Sequence, residues 1–348
     1  MLSHGNSSSG NPAMNIMVIV NRNFHGLYTP ILDTLKQKGH QTTLIEIGKI
    51  SKFRYTSVRQ RIRNFLSKNL LGHNLKQEFR YRHTTEYLER LKKNHDGKPF
   101  DLIVVNHPDT CNSDHILQLK ELSRTLSAHL WDSHGKEPQF FTNIGAYDNV
   151  ISFDPIDAKN YGFIGTTNYL DNTIEALPTP EKYAHDVFAV MSYDKARYRY
   201  IEQLIDSNPD VNFDITIYVQ SEHRRKHITH KSVSVIDRPL AGDKLLSRIA
   251  QSRAILDIGH EHQHGLSFRV LESLGYERKL VTTNAYVKEY PFYTKQNIFC
   301  IASDNINIKK GFFNSPYQKI DESIVEQYRL NQWVDDYLDK LTRGSPHR

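Results

Sequence analysis

The stretch from Ala254 to Asn284, AILDIGHEHQHGLSFRVLESLGYERKLVTTN, limits the possible folds more than any other part of the chain. Ala254 to Ile258 reads as a short buried strand that breaks at Gly259 into a polar, histidine-rich loop. A helix is expected from Gly265-Leu266-Ser267, with Leu266, Val270, Leu271 and Leu274 repeating at three- and four-residue spacing and Gly275 closing it. Lys279 to Thr283 reads as a second buried strand. Strand, loop, helix, strand is half of a doubly wound α/β domain. Such sheets place ligands outside the carboxyl ends of their strands, here the loop from His260 to Ser267.

That placement suggests chemistry. A helix starting at Gly265, Leu266 or Ser267 offers free backbone N–H groups and a positive dipole end to a phosphate. Arg269 can add a charge-assisted contact to an anion, and Glu272 can reach a sugar hydroxyl near the same pocket. In the plainer alternative, Glu272 is a solvated helix residue and the histidines fill a loop. His260, His262 and His264 alternate in that loop without the helical spacing of a zinc-binding H-E-x-x-H.

The chain has 348 residues, enough for two domains. It contains no apolar run of the eighteen or so residues a membrane span needs. Residues 1–14 read as a disordered or cloning-derived leader, and the last seven residues, TRGSPHR, as a cloning remnant. Cys111 and Cys300 are the only cysteines, which fits a reducing cytoplasm. Net charge is +6, and the excess is concentrated between Lys49 and Lys98, where 14 Lys and Arg face 4 acids. No nucleic-acid motif accompanies that run. Within Tyr55 to Leu71, however, Val58, Ile62, Phe65, Leu66 and Leu70 alternate with Arg59, Arg61, Arg63 and Lys68. This is either an ordinary core-plus-solvent helix or an amphipathic helix lying on an anionic membrane.

Taken in order, Asn15 to Val20 is a strand, and the turn Asn21 to Gly26 leads to a helix over Tyr28 to Lys38. Gln41 to Ile47 is the next strand. The first turn has no G-x-G-x-x-G, so a dinucleotide cofactor is not expected. Asn21 and His25 in that turn, and His107 after the strand Asp101 to Asn106, are placed on an acceptor side. A helix over Ser113 to Leu126 and a strand over Ala128 to Trp131 deliver Asp132, a candidate base whose alternative is a turn or cap acid. Asp154 before Pro155 carries the helix-start pattern and is read as a structural N-cap. Leu177 to Lys182 is the expected linker. The division is therefore 15–180 and 181–320, with a terminal helix over 321–341 returning to the first domain. No Asp-x-Asp pair, G-x-S-x-G elbow or Walker loop is present.

Several of these runs resemble a known group. Leu256, Asp257, Ile258, His260, Gln263, Gly265, Leu266, Arg269, Glu272, Leu274 and Gly275 are similar to the donor-binding run of bacterial GT-B glycosyltransferases of lipopolysaccharide and capsule biosynthesis. Lys279, Thr282, Thr283, Asn284, Tyr290, Phe292 and Tyr293 continue the likeness, as do Trp131-Asp132-Ser133 and Ser152-Phe153-Asp154-Pro155. The chain departs from the group at Glu261, where Pro is common.

The resemblance implies the GT-B fold, two Rossmann-like domains facing across a cleft with a C-terminal helix returning to the first. It implies a hexosyltransferase that moves sugar from a nucleotide-diphosphate donor, UDP-sugar favoured, to a hydroxyl of a lipopolysaccharide, O-antigen or capsule glycan. No metal or other cofactor would be needed, nor nucleic acid. Tyr193, Lys195, Arg197, Gln263, Gly265, Leu266, Ser267, Arg269 and Glu272 would bind the donor, with Asp132 and His260 catalytic. The location would be cytoplasmic, with peripheral contact at the inner membrane through the basic 49–98 region. A non-catalytic glycan- or nucleotide-binding scaffold and a sugar-nucleotide epimerase are the alternatives on the same fold.

Overall fold

The computed structural model describes residues 12–22, 26–50, 55–71, 74–94, 98–132, 140–259, 263–302 and 305–342. Their contacts divide them into two compact units. The first takes its described residues from 12–152, 157–165 and 334–342, and the second from 153–156 and 166–333.

The first unit is built on six parallel strands: β1 (Asn15–Val20), β2 (Gln41–Glu46), β3 (Phe100–Asn106), β4 (Ser123–Leu130), β5 (Asn149–Ser152) and β6 (Ile164–Gly165). They lie in the order β2-β1-β3-β4-β5-β6. β1 and β3 are almost continuously apolar because both faces of a parallel sheet are covered. β4 begins earlier than its sequence pattern suggests. The helix before it stops at Glu121, and Ser123 to His129 pair with Phe100 to Asn106. Helical spacing continues through Leu126, but the ladder to β3 and a bond from Leu126 N–H to Asp148 Oδ2 (2.9 Å) hold that segment extended. Non-local pairing overrides local periodicity here.

A single helical turn, Ile47–Ile50, and two longer helices, Val58–Leu71 and Leu75–Asn94, stand between β2 and β3 in the chain. Of the two longer ones, the second buries Thr84 and Leu88, while the first leaves Val58, Ile62, Phe65, Leu66 and Leu70 between 49% and 76% exposed. The C-terminal stretch is not one helix. Glu322–Glu326 and Leu330–Thr342 are separate, because the chain between them pairs with Leu170: Leu170 N–H donates to Tyr328 O (2.7 Å) and Leu330 N–H to Leu170 O (2.8 Å). From Val334 onward the last helix belongs to the first unit. It buries Val334, Tyr337, Leu338 and Leu341 there, each fully buried side chain contributing about 1.5–3 kcal/mol. Asn149 Nδ2 donates to Leu341 O (2.7 Å), and His129 Nδ1 lies 2.8 Å from the Tyr337 hydroxyl.

The second unit has its own six parallel strands: β7 (His185–Ser192), β8 (Phe213–Tyr218), β9 (Val233–Ile236), β10 (Ser252–Asp257), β11 (Lys279–Thr282) and β12 (Ile298–Cys300). Their order is β12-β11-β10-β7-β8-β9. Counted from β7 this is 3-2-1-4-5-6, whose direction of progress reverses between β7 and β10. The chain around Leu177 and Pro178 is held to this unit by buried Arg278, which donates to Leu177 O (3.2 Å) and Pro178 O (2.8 Å). Among the described residues no helix is long and apolar enough to cross a membrane.

Candidate functional site

β10 ends at Asp257, a buried carboxylate that organises everything downstream. It accepts hydrogen bonds from Ser267 Oγ (2.7 Å) and Thr282 Oγ1 (2.8 Å), so the strand's end, the helix start and the end of β11 share one anion. Such bonds to a charged acceptor are the stronger kind. Gly259 N–H donates to Thr283 Oγ1 (3.0 Å). Asn284 Nδ2 donates to the carbonyls of His264 (3.0 Å) and Gly265 (3.1 Å). Thr282, Thr283 and Asn284 therefore act as three successive clamps on the β10 loop.

The loop is pinned from a second side. His264 N–H donates to Asp154 Oδ2 (2.9 Å), while Asp154 Oδ1 accepts Ile156 N–H (2.9 Å). The expected cap role of Asp154 is thus present, and the carboxylate also holds the loop. Gly265 packs directly on Phe153, where a Cβ would meet ring carbons at 2.3 and 2.4 Å. Asn168 Nδ2 donates to Leu266 O (2.7 Å). Behind β11, Lys279 spends all three ammonium protons on Gln296 O, Phe312 O and Ser315 Oγ, each at 2.7 Å. Burial, reinforced by Arg253, pulls its pKa down to about 8.

In front of this frame opens a cavity of about 770 Å³ at the carboxyl ends of β7, β10, β11 and β12. It lies at the reversal point of the sheet, where doubly wound folds hold their ligands, and its volume falls in the range of small-molecule sites. One wall is the start of the helix Lys195–Ser207, through Asp194, Ala196, Arg197 and Tyr200. Asp194 caps that helix by accepting Arg197 N–H (3.0 Å). Ile258, Gly259, Gln263 and His264 form the floor, and Thr283 to Tyr286 with Glu289 form the far wall. A helix N-terminus, an arginine and a separate carboxylate around one cavity can bind a ligand carrying both phosphate and hydroxyl groups.

No protein-family model matches the chain, and no curated protein matches it by sequence. Solved structures do. A glycosyltransferase from Rickettsia africae superposes with a TM-score of 0.59 at 11% identity, over 94% of this chain and 98% of that one. The lipopolysaccharide outer core galactosyltransferase WaaB gives 0.54 at 11% identity, over 94% and 99%. Anabaena HepE, solved with UDP and glucose, gives 0.54 at 11%, over 94% and 100%. The chain has the GT-B fold.

In this GT-B chain, Arg197 and Gln263 are the expected donor residues that line the 770 Å³ cavity. Lys195 is exposed at the start of the same helix, and Tyr193 lies one residue before its cap, its ring near Tyr198. Gly265 and Leu266 are buried, and the Ser267 hydroxyl is engaged by Asp257. Arg269 and Glu272 are ion-paired with each other on the helix Phe268–Gly275. In the first unit, Asn21 directly follows β1 and Asp132 lies two residues beyond β4. His107 directly follows β3 in the left-handed region, with φ 54°. Asn106 ties these strand ends together: its Oδ1 accepts Trp131 Nε1–H (2.6 Å) and its Nδ2 donates to Ile19 O (3.3 Å). His25 and His260 lie outside the described residues. Among the described residues no three His, Cys, Asp or Glu side chains gather as a metal-binding group.

The cavity also enlists residues that sequence reading did not assign to it: Asp194, Tyr200, Tyr286 and Glu289. Asp194 had a signal, an Asp opening a helix directly after a strand. Tyr286 and Glu289 sit on the short 3-10 turn Ala285–Glu289, for which only position after β11 speaks.

Proposed function

We propose that this chain is a glycosyltransferase that takes a sugar from a nucleoside-diphosphate donor and places it on a hydroxyl of a cell-surface glycan, of the lipopolysaccharide, O-antigen or capsule kind. The observation that carries the reading is the cavity at the β7/β10 reversal point, walled by the N-terminus of the helix Lys195–Ser207 and Arg197. The donor diphosphate sits against that helix start, with Lys195 and Arg197 neutralising the charge that builds on the leaving phosphate. Gln263 and Glu289 offer hydrogen bonds to sugar or ribose hydroxyls. Glu272, oriented by Arg269, is assigned to the ribose, and Tyr193, Gly265, Leu266 and Ser267 to shaping the donor loop. UDP is the favoured nucleotide, in keeping with the ligands of HepE. Asn21, His25 and His107 are assigned to the acceptor. Asp132 is assigned as the base that removes the acceptor proton, and His260 as support for the leaving group.

The exposed apolar ridge of the helix Val58–Leu71, with its arginines, is assigned to peripheral contact with an anionic bilayer. The reaction as written needs no metal, because cationic side chains and the helix dipole carry the phosphate charge.

The decisive experiment titrates UDP, GDP, CMP, dTDP and ADP into the protein and then measures transfer from the sugar form of whichever binds. Selective binding of one nucleotide, weakened at least tenfold in Arg197→Ala, is expected. Absence of binding by all five, or an unchanged affinity in Arg197→Ala, would sink the donor site. Turnover of the sugar nucleotide without acceptor would replace the transferase by an epimerase.

A further inference from the structure

The first unit carries a second cavity of about 420 Å³. It too lies at a sheet reversal point: in β2-β1-β3-β4-β5-β6 the direction changes between β1 and β3, and Asn21 after β1 and Thr110 after β3 both line it. The helices Val58–Leu71 and Leu75–Asn94 form its other wall. Lys68, Lys76 and Arg80 face it, against one acid, Asp109.

Unsatisfied polar atoms mark it as built for a ligand. Thr84 is 2% exposed and Asn64 7% exposed, yet Thr84 Oγ1 and Asn64 Oδ1 have no hydrogen-bond partner among the described residues. Arg80 Nε is buried in the same condition. Asn64 is not free to turn away, because its Nδ2 donates to the Tyr55 hydroxyl (2.7 Å). Buried polar groups are almost always paired, so three orphans around one cavity call for an absent partner. Their chemistry differs in a useful way. Arg80 Nε can only donate, and with two lysines beside it requires an anion; Asn64 Oδ1 can only accept, and requires a hydroxyl or N–H donor. A partner that carries both an anionic group and a hydroxyl meets these demands.

We propose that this cavity binds a phosphorylated sugar, with its phosphate on Lys68, Lys76 and Arg80 and a sugar hydroxyl on Asn64 and Thr84. Under the transferase reading, on which this assignment of role rests, the phosphorylated sugar is part of the acceptor. Lys supplies point charges, and Arg80 adds directional N–H contacts to phosphate oxygens.

The test is calorimetric titration of the full chain with inorganic phosphate, free hexose and hexose 1-phosphate, alongside UDP. Hexose 1-phosphate is expected to bind at least tenfold more tightly than either phosphate or hexose alone. Arg80→Ala and Lys76→Ala should each weaken it at least tenfold, and Thr84→Val should bring it close to the affinity of phosphate. UDP affinity should stay at its wild-type value in all three variants, which shows that they are folded. A parallel arm with vesicles carrying a polyprenyl-diphosphate sugar distinguishes a lipid-borne sugar phosphate from a free one, and binding in either arm supports the site. No preference for hexose 1-phosphate over phosphate, or full retention of binding in Arg80→Ala, overturns it. Binding of hexose 1-phosphate by a protein that ignores every nucleotide would leave this site standing and remove the transferase reading.

Discussion

Gly265 faces Phe153 so closely that a Cβ on it would lie 2.3 Å from ring carbon Cε2 and 2.6 Å from the Phe153 carbonyl oxygen. The backbone oxygen cannot swing aside as a flexible side chain would. Gly265→Ala must therefore move the loop or the Phe153 segment. It is expected to cost about 1–3 kcal/mol, the usual range for overpacking, and to weaken nucleotide binding with it. Thermal unfolding and a UDP titration of the same variant check both parts. An unchanged melting temperature would mean that the packing is loose.

Asn284 tests the loop without touching its packing. Its side chain makes two bonds to the His264 and Gly265 carbonyls and accepts a third from Tyr286 N–H (3.0 Å). In Asn284→Ala all three go, with a stability loss of about 1–3 kcal/mol for the stranded groups. On the donor-site reading, KM for the sugar nucleotide should rise at least tenfold, with a smaller change in kcat. Equal loss in both, or none in KM, would separate the loop from donor binding.

Stability should fall in acid through His129. The ring is fully enclosed; burial, with a smaller effect from His107, pulls its pKa from 6.5 to about 3. The folded state then refuses a proton that the unfolded chain accepts, so stability is complete above pH 6.5 and drains away as pH falls toward 3. The slope contributed is up to about 1.4 kcal/mol per pH unit. Urea unfolding at pH 7, 5.5 and 4.5 measures it, and His129→Asn should flatten the curve. The same slope in both proteins would assign the acid sensitivity elsewhere.

The helix Val58–Leu71 should govern membrane contact if the exposed ridge has that use. Phe65 is 65% exposed and Ile62 54%, so charge at these positions leaves the core untouched. Ile62→Glu with Phe65→Glu should abolish flotation with anionic vesicles while the melting temperature stays within about 1 °C, as surface changes usually do. Retained flotation would relocate the contact.

The two sheets were largely legible because parallel strands buried on both faces write themselves as apolar runs such as NIMVIV and DLIVVN. Ala254 to Ile258 and Lys279 to Thr283 were equally plain. The start of β4 was not, since Ser123 to Leu126 extends a helical pattern that only its ladder to β3 interrupts. The clamps on the β10 loop were invisible for a different reason. Asp257, Thr283 and Asn284 act through bonds to residues 10 to 25 positions away, and no local pattern encodes a partner at that distance. Arg269 and Glu272 read as ligand-binding residues from their place on the helix that follows the β10 loop and from the resemblance to a donor-binding run. Their mutual ion pair follows from i, i+3 spacing alone and could have been read from the sequence.

The short segment Phe153–Ile156 belongs to the second unit, and the helix from Val334 to the first. This interleaving sets the order in which the units can be finished on the ribosome. The first unit's strands emerge first, yet its buried side chains Val334 to Leu341 emerge only after the whole of the second unit. The second unit has every one of its segments once Trp333 is made. Of the two sheets, the one begun first is thus completed second, and during synthesis its apolar face waits uncovered for the helix Leu330–Thr342, when such surfaces are most prone to stray association.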